Sequence, residues 1–93
     1  MKLEWSAAAL ADLDRFAEFL NEFYPHLAGI VAERILAKTK IIEKHPQLGR
    51  PIAGRVGYYE ISLKVLNSTY VFLYFYDGER LAMLRVHHGR EGR

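Results

Sequence analysis

Cysteine is absent, and with it disulfides, thiolate metal ligands and cysteine nucleophiles drop out together. A chain without cysteine fits a reducing compartment, and the expected location is the cytoplasm. Proline is scarce: Pro25, Pro46 and Pro51 punctuate the chain without forming a proline-rich linker. No apolar run approaches the ~18 residues of a membrane-spanning helix. Met1-Lys2-Leu3-Glu4-Trp5 also lacks the charged start and apolar core of a secretory signal, so no membrane partner is expected. Internal repeats and low-complexity segments are missing as well.

What is present is apolar and aromatic. The 93 residues are 51% hydrophobic and include six Tyr, five Phe and one Trp. That is enough for one core without covalent staples, in a chain too short for two domains, so residues 1–93 are read as one domain. The net charge of +2 is unevenly spread. Residues 1–24 hold two basic residues (Lys2, Arg15) against five acidic ones, a balance of −3 that leaves +5 to the remainder. A basic C-terminal part suits either an anionic partner or a solvated surface.

Residues 2–5 read as a short strand that stops at Ser6, a good N-cap before the helix-forming Ala7-Ala8-Ala9-Leu10-Ala11. Leu10, Leu13, Phe16, Ala17, Leu20 and Phe23 keep a helical period, with Asp12, Asp14, Glu18 and Glu22 assigned to other faces. Pro25 suits the first turn of a second helix, because its missing N–H would have no partner there. Ile30, Val31, Ile35, Ile41 and Ile42 carry that helix on until Pro46 stops it. Gln47 to Gly57 then reads as a loop with three glycines, Arg50 and Arg55, able to meet a phosphate but without a strand-to-helix phosphate motif.

From Tyr58 the period changes to two, with Tyr59, Ile61, Leu63 and Val65 on one face. Asn67-Ser68 is expected to turn the chain. Thr69 to Tyr76 is apolar on both faces, Tyr70, Phe72, Tyr74 and Tyr76 on one and Val71, Leu73 and Phe75 on the other, so it is expected to be central. Asp77-Gly78 marks a hairpin, and Arg80 to His88 returns as the last strand. The expected fold is α+β, β-α-α-β-β-β, with two N-terminal helices packed on one face of a small antiparallel sheet. Two helices cover only one face, so the Val71, Leu73 and Phe75 side needs cover from a partner, a second copy or the chain's own tail.

Chemistry has few candidates. His26 and His45 stand beside prolines at helix ends and read as solvent-facing. His87 and His88 end a strand next to Arg85 and Arg90, and only one of the two can face the helices. Zinc finds no ligand spacing and acyl transfer no nucleophile elbow, and no cofactor is called for. RNA cleavage through the 2′-hydroxyl needs a base, an acid and cations on the phosphate. Arg85, His87 or His88, Arg90, Lys64 and Glu60 are the right types for that, as in any basic domain.

In order, these pieces resemble the RelE/ParE superfamily of toxins from bacterial type II toxin-antitoxin pairs. The resemblance rests on Leu3-Glu4-Trp5-Ser6 with Ala9, Asp12 and Leu13; on Ile41-Ile42-Glu43-Lys44-His45-Pro46-Gln47-Leu48-Gly49-Arg50-Pro51; on Tyr58-Tyr59-Glu60; on Tyr70-Val71-Phe72-Leu73-Tyr74 with Asp77-Gly78; and on Leu84-Arg85-Val86-His87-His88-Gly89-Arg90. It implies one of two activities, ribosome-dependent mRNA cleavage in the RelE-like branch or poisoning of DNA gyrase without nuclease activity in the ParE-like branch.

Ribonuclease members carry an Arg directly after the Tyr that starts the central strand; here that position is Val71. The Arg often found before Glu60 is Tyr59, and the loop keeps Arg50 and Arg55 where the RelE branch has paired Lys. These departures, together with the His88-Gly89-Arg90 ending, favour a ParE-like toxin silenced by a cognate antitoxin in a hetero-oligomer. The resemblance then implies target contact through Arg50, Arg55, Arg85, His88 and Arg90, and antitoxin contact through Val71, Leu73 and Phe75. The alternative, a RelE-like mRNA endonuclease, would rest on Arg85, His88 and Lys64, with the ribosome and mRNA as partners. A third reading is a degenerate member that binds its antitoxin and poisons nothing.

Overall fold

The computed structural model describes residues 1–89. After the short strand β1 (Glu4–Trp5), Ser6 opens helix α1 (Ala7–Phe23), its Oγ accepting the Ala9 N–H at 3.0 Å. Tyr24 separates α1 from α2 (Pro25–Lys44), and Pro25 holds the first turn. His45 ends α2 with its N–H on the Ile41 carbonyl, and Pro46 forbids continuation. β2 (Arg50–Pro51) follows, then β3 (Tyr58–Val65), β4 (Ser68–Tyr76) and β5 (Leu81–His88).

The strands lie in the order β1-β5-β4-β3-β2, which leaves β4 central as its two apolar faces predict. Neighbours from β5 to β2 run antiparallel, while β1 pairs parallel with β5 through Glu4–Ala82 and Trp5–Met83. The expected antiparallel sheet is therefore mixed at one edge. β1 and β5 are separated by most of the chain, so no hairpin forces them to oppose. α1 packs over β5 and α2 over β3. Ala9 and Phe16 of α1, and Val31, Ile35 and Ile42 of α2, meet Tyr70, Phe72 and Tyr74 of β4 and Leu81, Met83 and Val86 of β5 in the core.

Two turns differ from expectation. The β3–β4 loop is Leu66-Asn67, because Val65, 2% exposed, holds the register with Ser68 as its partner, and Leu66 is left at φ +57°. The β4–β5 connection spans Asp77–Arg80. Asp77 Oδ1 accepts the Glu79 and Arg80 N–H groups at 2.9 and 2.8 Å, and Gly78 takes φ +96°. Those N–H groups, Arg80 first, lower the Asp77 carboxyl below its ordinary range.

Candidate functional site

The loop between α2 and β3 is anchored by Tyr74. Its hydroxyl donates to the Pro46 carbonyl at 2.7 Å and accepts the Gly49 N–H at 2.9 Å, while its ring stacks on Tyr59 at 5.4 Å. Burial pushes this hydroxyl above its ordinary value, against the Gly49 N–H and with Tyr59 adding to the rise, so the proton needed for Pro46 stays in place. A Cβ at Gly49 would lie 2.7 Å from the Tyr74 oxygen, so only glycine allows this approach. His45-Pro46-Gln47-Leu48-Gly49-Arg50-Pro51, the most distinctive segment of the sequence, is thus a clamp that sets Arg50 on the sheet edge.

From that clamp the basic residues spread across the sheet. Arg50 reaches Glu60 at 3.2 Å; Glu60 faces Leu73 across β3–β4, and Leu73 faces Arg85 across β4–β5. Arg50 and Arg85 therefore mark the two ends of one cross-strand row, three strand spacings or roughly 14 Å apart. Arg55 lies in the loop before β3, its guanidinium 4.7 Å from the Tyr58 ring centre. Val71 sits between Ser62 and His87 and is already buried, while Leu73 and Phe75 are half-buried. The Phe75 ring meets Tyr58 edge-on at 5.4 Å and crowds Gly57, which holds φ +87°.

His88 belongs to the other face. Its ring meets Tyr70 edge-on at 5.2 Å, and Tyr70 meets Phe16 of α1 at 5.3 Å. Lys64 pairs with Thr69, one position along from Leu63–Tyr70, so alternation turns Lys64 away from the helices. Lys64 and His88 thus project from opposite faces of the sheet. Arg90 lies outside the described residues.

Arg85 and Asp12 form the tightest polar constellation. Asp12 is 1% exposed, although its type assigned it to the polar side of α1. Its Oδ2 accepts Arg85 Nε at 2.9 Å and the Val86 N–H at 2.8 Å, and its Oδ1 accepts Arg85 Nη2 at 3.0 Å and Arg15 Nη1 at 2.9 Å. Burial alone would raise the Asp12 pKa; the Arg85, Val86 and Arg15 bonds outweigh it and hold the carboxyl at about 2. Arg85 remains half-exposed while so engaged, which leaves part of its guanidinium on the surface.

One signal could have located Asp12. It falls on the stripe Ala9, Leu13, Phe16 and Leu20 that α1 turns inward. A carboxylate on such a stripe requires a cation, and Arg85 supplies one from across the fold beside the local Arg15. Among the described residues no three His, Asp or Glu side chains gather to hold a metal ion, and no helix is long and apolar enough to cross a membrane.

Two helices on one face of a sheet ordered β1-β5-β4-β3-β2 define the RelE/ParE-like fold. It is shared with a chain of the chromosomal ParDE TA system from P. aeruginosa, 22% identical over 95% of each chain with a TM-score of 0.75. It is also shared with the YoeB/ParE toxin from Agrobacterium tumefaciens, 21% identical over 95% of this chain and 98% of the other with a TM-score of 0.53. No curated protein matches. The family described as ParE toxin of type II toxin-antitoxin system, parDE, matches residues 3–92, and the chain belongs to it.

Proposed function

We propose that this protein is a toxin of ParE type that inhibits DNA gyrase through protein contact and is neutralised by a cognate antitoxin. Membership of the ParE family supports the toxin part. The observation that carries the choice of mechanism is the separation of the titratable and cationic groups. Lys64 and His88 leave the sheet on opposite faces, and Arg85 is committed to Asp12. Cleaving RNA would need those three groups around one phosphate, whereas a protein target needs only a spread of contacts.

Arg50, Arg55, the exposed part of Arg85, His88 and Arg90 are the contacts proposed for the target. Val71, Leu73 and Phe75 are proposed for the antitoxin, with Leu73 and Phe75 offering the remaining apolar area. The test is controlled expression of the chain in bacteria, with DNA damage signalling and protein synthesis followed separately. Early DNA breaks with translation still running are expected. Immediate translational arrest with mRNA cut at the ribosome would replace this reading by the endonuclease one, and no growth effect would leave only antitoxin binding.

A further inference from the structure

Side-chain alternation along β5 is interrupted once. Tyr74 pairs with Met83 and Leu73 with Arg85, so Leu84 is an extra residue, a β-bulge. Strict alternation from Met83, which is fully buried, would send Arg85 into the helix-covered core and Val86 to the far face. The bulge reverses both. Val86 is fully buried opposite Phe72, and Arg85 stands beside Leu73 in the row that leads to Glu60 and Arg50. The start of α1 holds this arrangement in place. The Ser6 N–H donates to the Met83 carbonyl at 3.0 Å, and Ser6 Oγ donates to the Leu84 carbonyl at 2.9 Å. Further along the same helix, Asp12 grips the Arg85 guanidinium and takes the Val86 N–H.

The grip has two properties that a simple ion pair lacks. Nε and Nη2 of Arg85 each meet a different oxygen of the carboxylate, a fork that fixes the plane of the guanidinium as well as its place. The Val86 N–H ties the same carboxylate to the backbone of β5, so the guanidinium is held relative to the sheet. Arg15 then brings a second cation to Oδ1, and two guanidinium groups with one carboxylate sum to +1. The Arg15 and Arg85 side chains stay 46% and 44% exposed. Arg85 is thus ordered without losing the positive charge of its surroundings. Stability alone is a weak reason for this constellation, because apolar residues in place of a buried ion pair are often neutral or stabilising.

We propose that Asp12 is a positioning residue for target recognition: it holds Arg85, re-aimed by the Leu84 bulge, in the orientation that meets an acidic side chain of the target protein. The inference rests on the reading of Arg85 as a target contact and adds to it the group that makes the contact effective. A long side chain that is loose in the free protein gives up rotamer freedom when it binds. Arg85 has given up that freedom already, so its attraction for a carboxylate goes into binding. Asp12 touches no target group itself and acts through Arg85.

The test uses the full chain and two readouts, growth inhibition at matched soluble levels and inhibition of DNA gyrase supercoiling by the purified protein, with folding of each variant checked by urea denaturation. Asp12→Asn keeps an acceptor for the Val86 N–H but loses the two-point grip. Arg85→Lys leaves Asp12 in place and keeps the cation but cannot form the fork. Each should weaken inhibition roughly fivefold, the cost of ordering one long side chain on contact. In an Arg85→Ala background, Asp12→Asn should weaken it no further, because its effect runs through the missing arginine. The Arg85 Nε proton, followed by NMR, should exchange slowly in the wild type and rapidly in Asp12→Asn. Wild-type potency in Arg85→Lys or Arg85→Ala, or losses from Asp12→Asn and Arg85→Ala that add, would overturn the proposal and leave Asp12 a structural anchor. If Asp12→Asn does not fold, Arg85→Lys decides the question. Growth arrest without gyrase inhibition would remove the gyrase reading and leave the positioning role to be decided by growth; a wild-type chain that arrests nothing would overturn both.

Discussion

The α1–β5 side of the molecule and the α2–β3 side use the same materials, a helix laid along a strand, to different ends. On the first, every outward backbone group that the structure pairs is met by a short side chain or backbone group of β1 and α1, and a buried carboxylate ties helix to strand. On the second, the fixed point is Tyr74 reaching under the loop, and the strand edge beyond β2 is left unpaired among the described residues. Where polar groups are satisfied internally the structure is committed to stability; where they are left to solvent a surface stays available. Substitutions on the two sides should therefore differ in how much stability they remove.

The largest effect is expected at Asp12. Asp12→Ala leaves Arg85, Arg15 and the Val86 N–H without their common acceptor and should cost about 2 kcal/mol, most of it from the buried Val86 N–H, because the two half-exposed guanidinium groups can turn to solvent. Urea denaturation measures it. Asp12→Asn keeps an acceptor for Val86 and should lose less.

The pH dependence of stability should follow from the same group. The folded Asp12 pKa of about 2 lies below the ordinary value of 3.8, so the ionised form is the one that folding favours. Its contribution is fully present above the unfolded value and fades as pH falls toward 2. The difference is worth about 2 kcal/mol. Stability measured between pH 5 and 2 should fall more steeply for the wild type than for Asp12→Asn. A parallel fall in the two proteins would assign the acid sensitivity to other carboxylates.

On the α2–β3 side, Tyr74→Phe removes one oxygen and leaves the Gly49 N–H and the Pro46 carbonyl without their partner. A loss of about 1.5 kcal/mol is expected, with amide exchange rising at Gly49 before the core. A globally uniform rise would mean that the loop and the core open together.

These same residues show how far the sequence could be read. Helical and two-residue periods located both helices and the three long strands, because burial enforces them; Ser6, Pro25 and Pro46 placed helix ends because each acts through its own backbone chemistry. Tyr74 was recognisable as core but not as the clamp, since its hydroxyl meets Pro46 and Gly49 only after the chain has folded back through 28 and 25 positions. Asp12 was misassigned by residue type when its position on the stripe was the better guide. The basic residues were found individually, but which of them share a face depends on strand register, and the hairpin at Leu66-Asn67 sets that register one residue earlier than turn propensity suggests.

That hairpin offers the smallest test, and the one that bears most directly on the open edge. Leu66 is 40% exposed and holds φ +57°, a conformation costing a side chain with a Cβ about 1 kcal/mol. Leu66→Gly relieves that strain but also frees the unfolded chain, so a net gain below about 1 kcal/mol is expected. The register closed by Val65 and Ser68 should persist, because Val65 is buried and a slip by one residue would turn Ile61, Leu63 and Val65 outward. Ser62 and Lys64, whose N–H groups point away from β4 because those of Ile61, Leu63 and Val65 point toward it, would then keep rapid amide exchange unchanged by the substitution. A loss of stability, or new protection at those two amides, would mean that Leu66 itself holds the register and that the edge is less firmly defined than the buried positions imply.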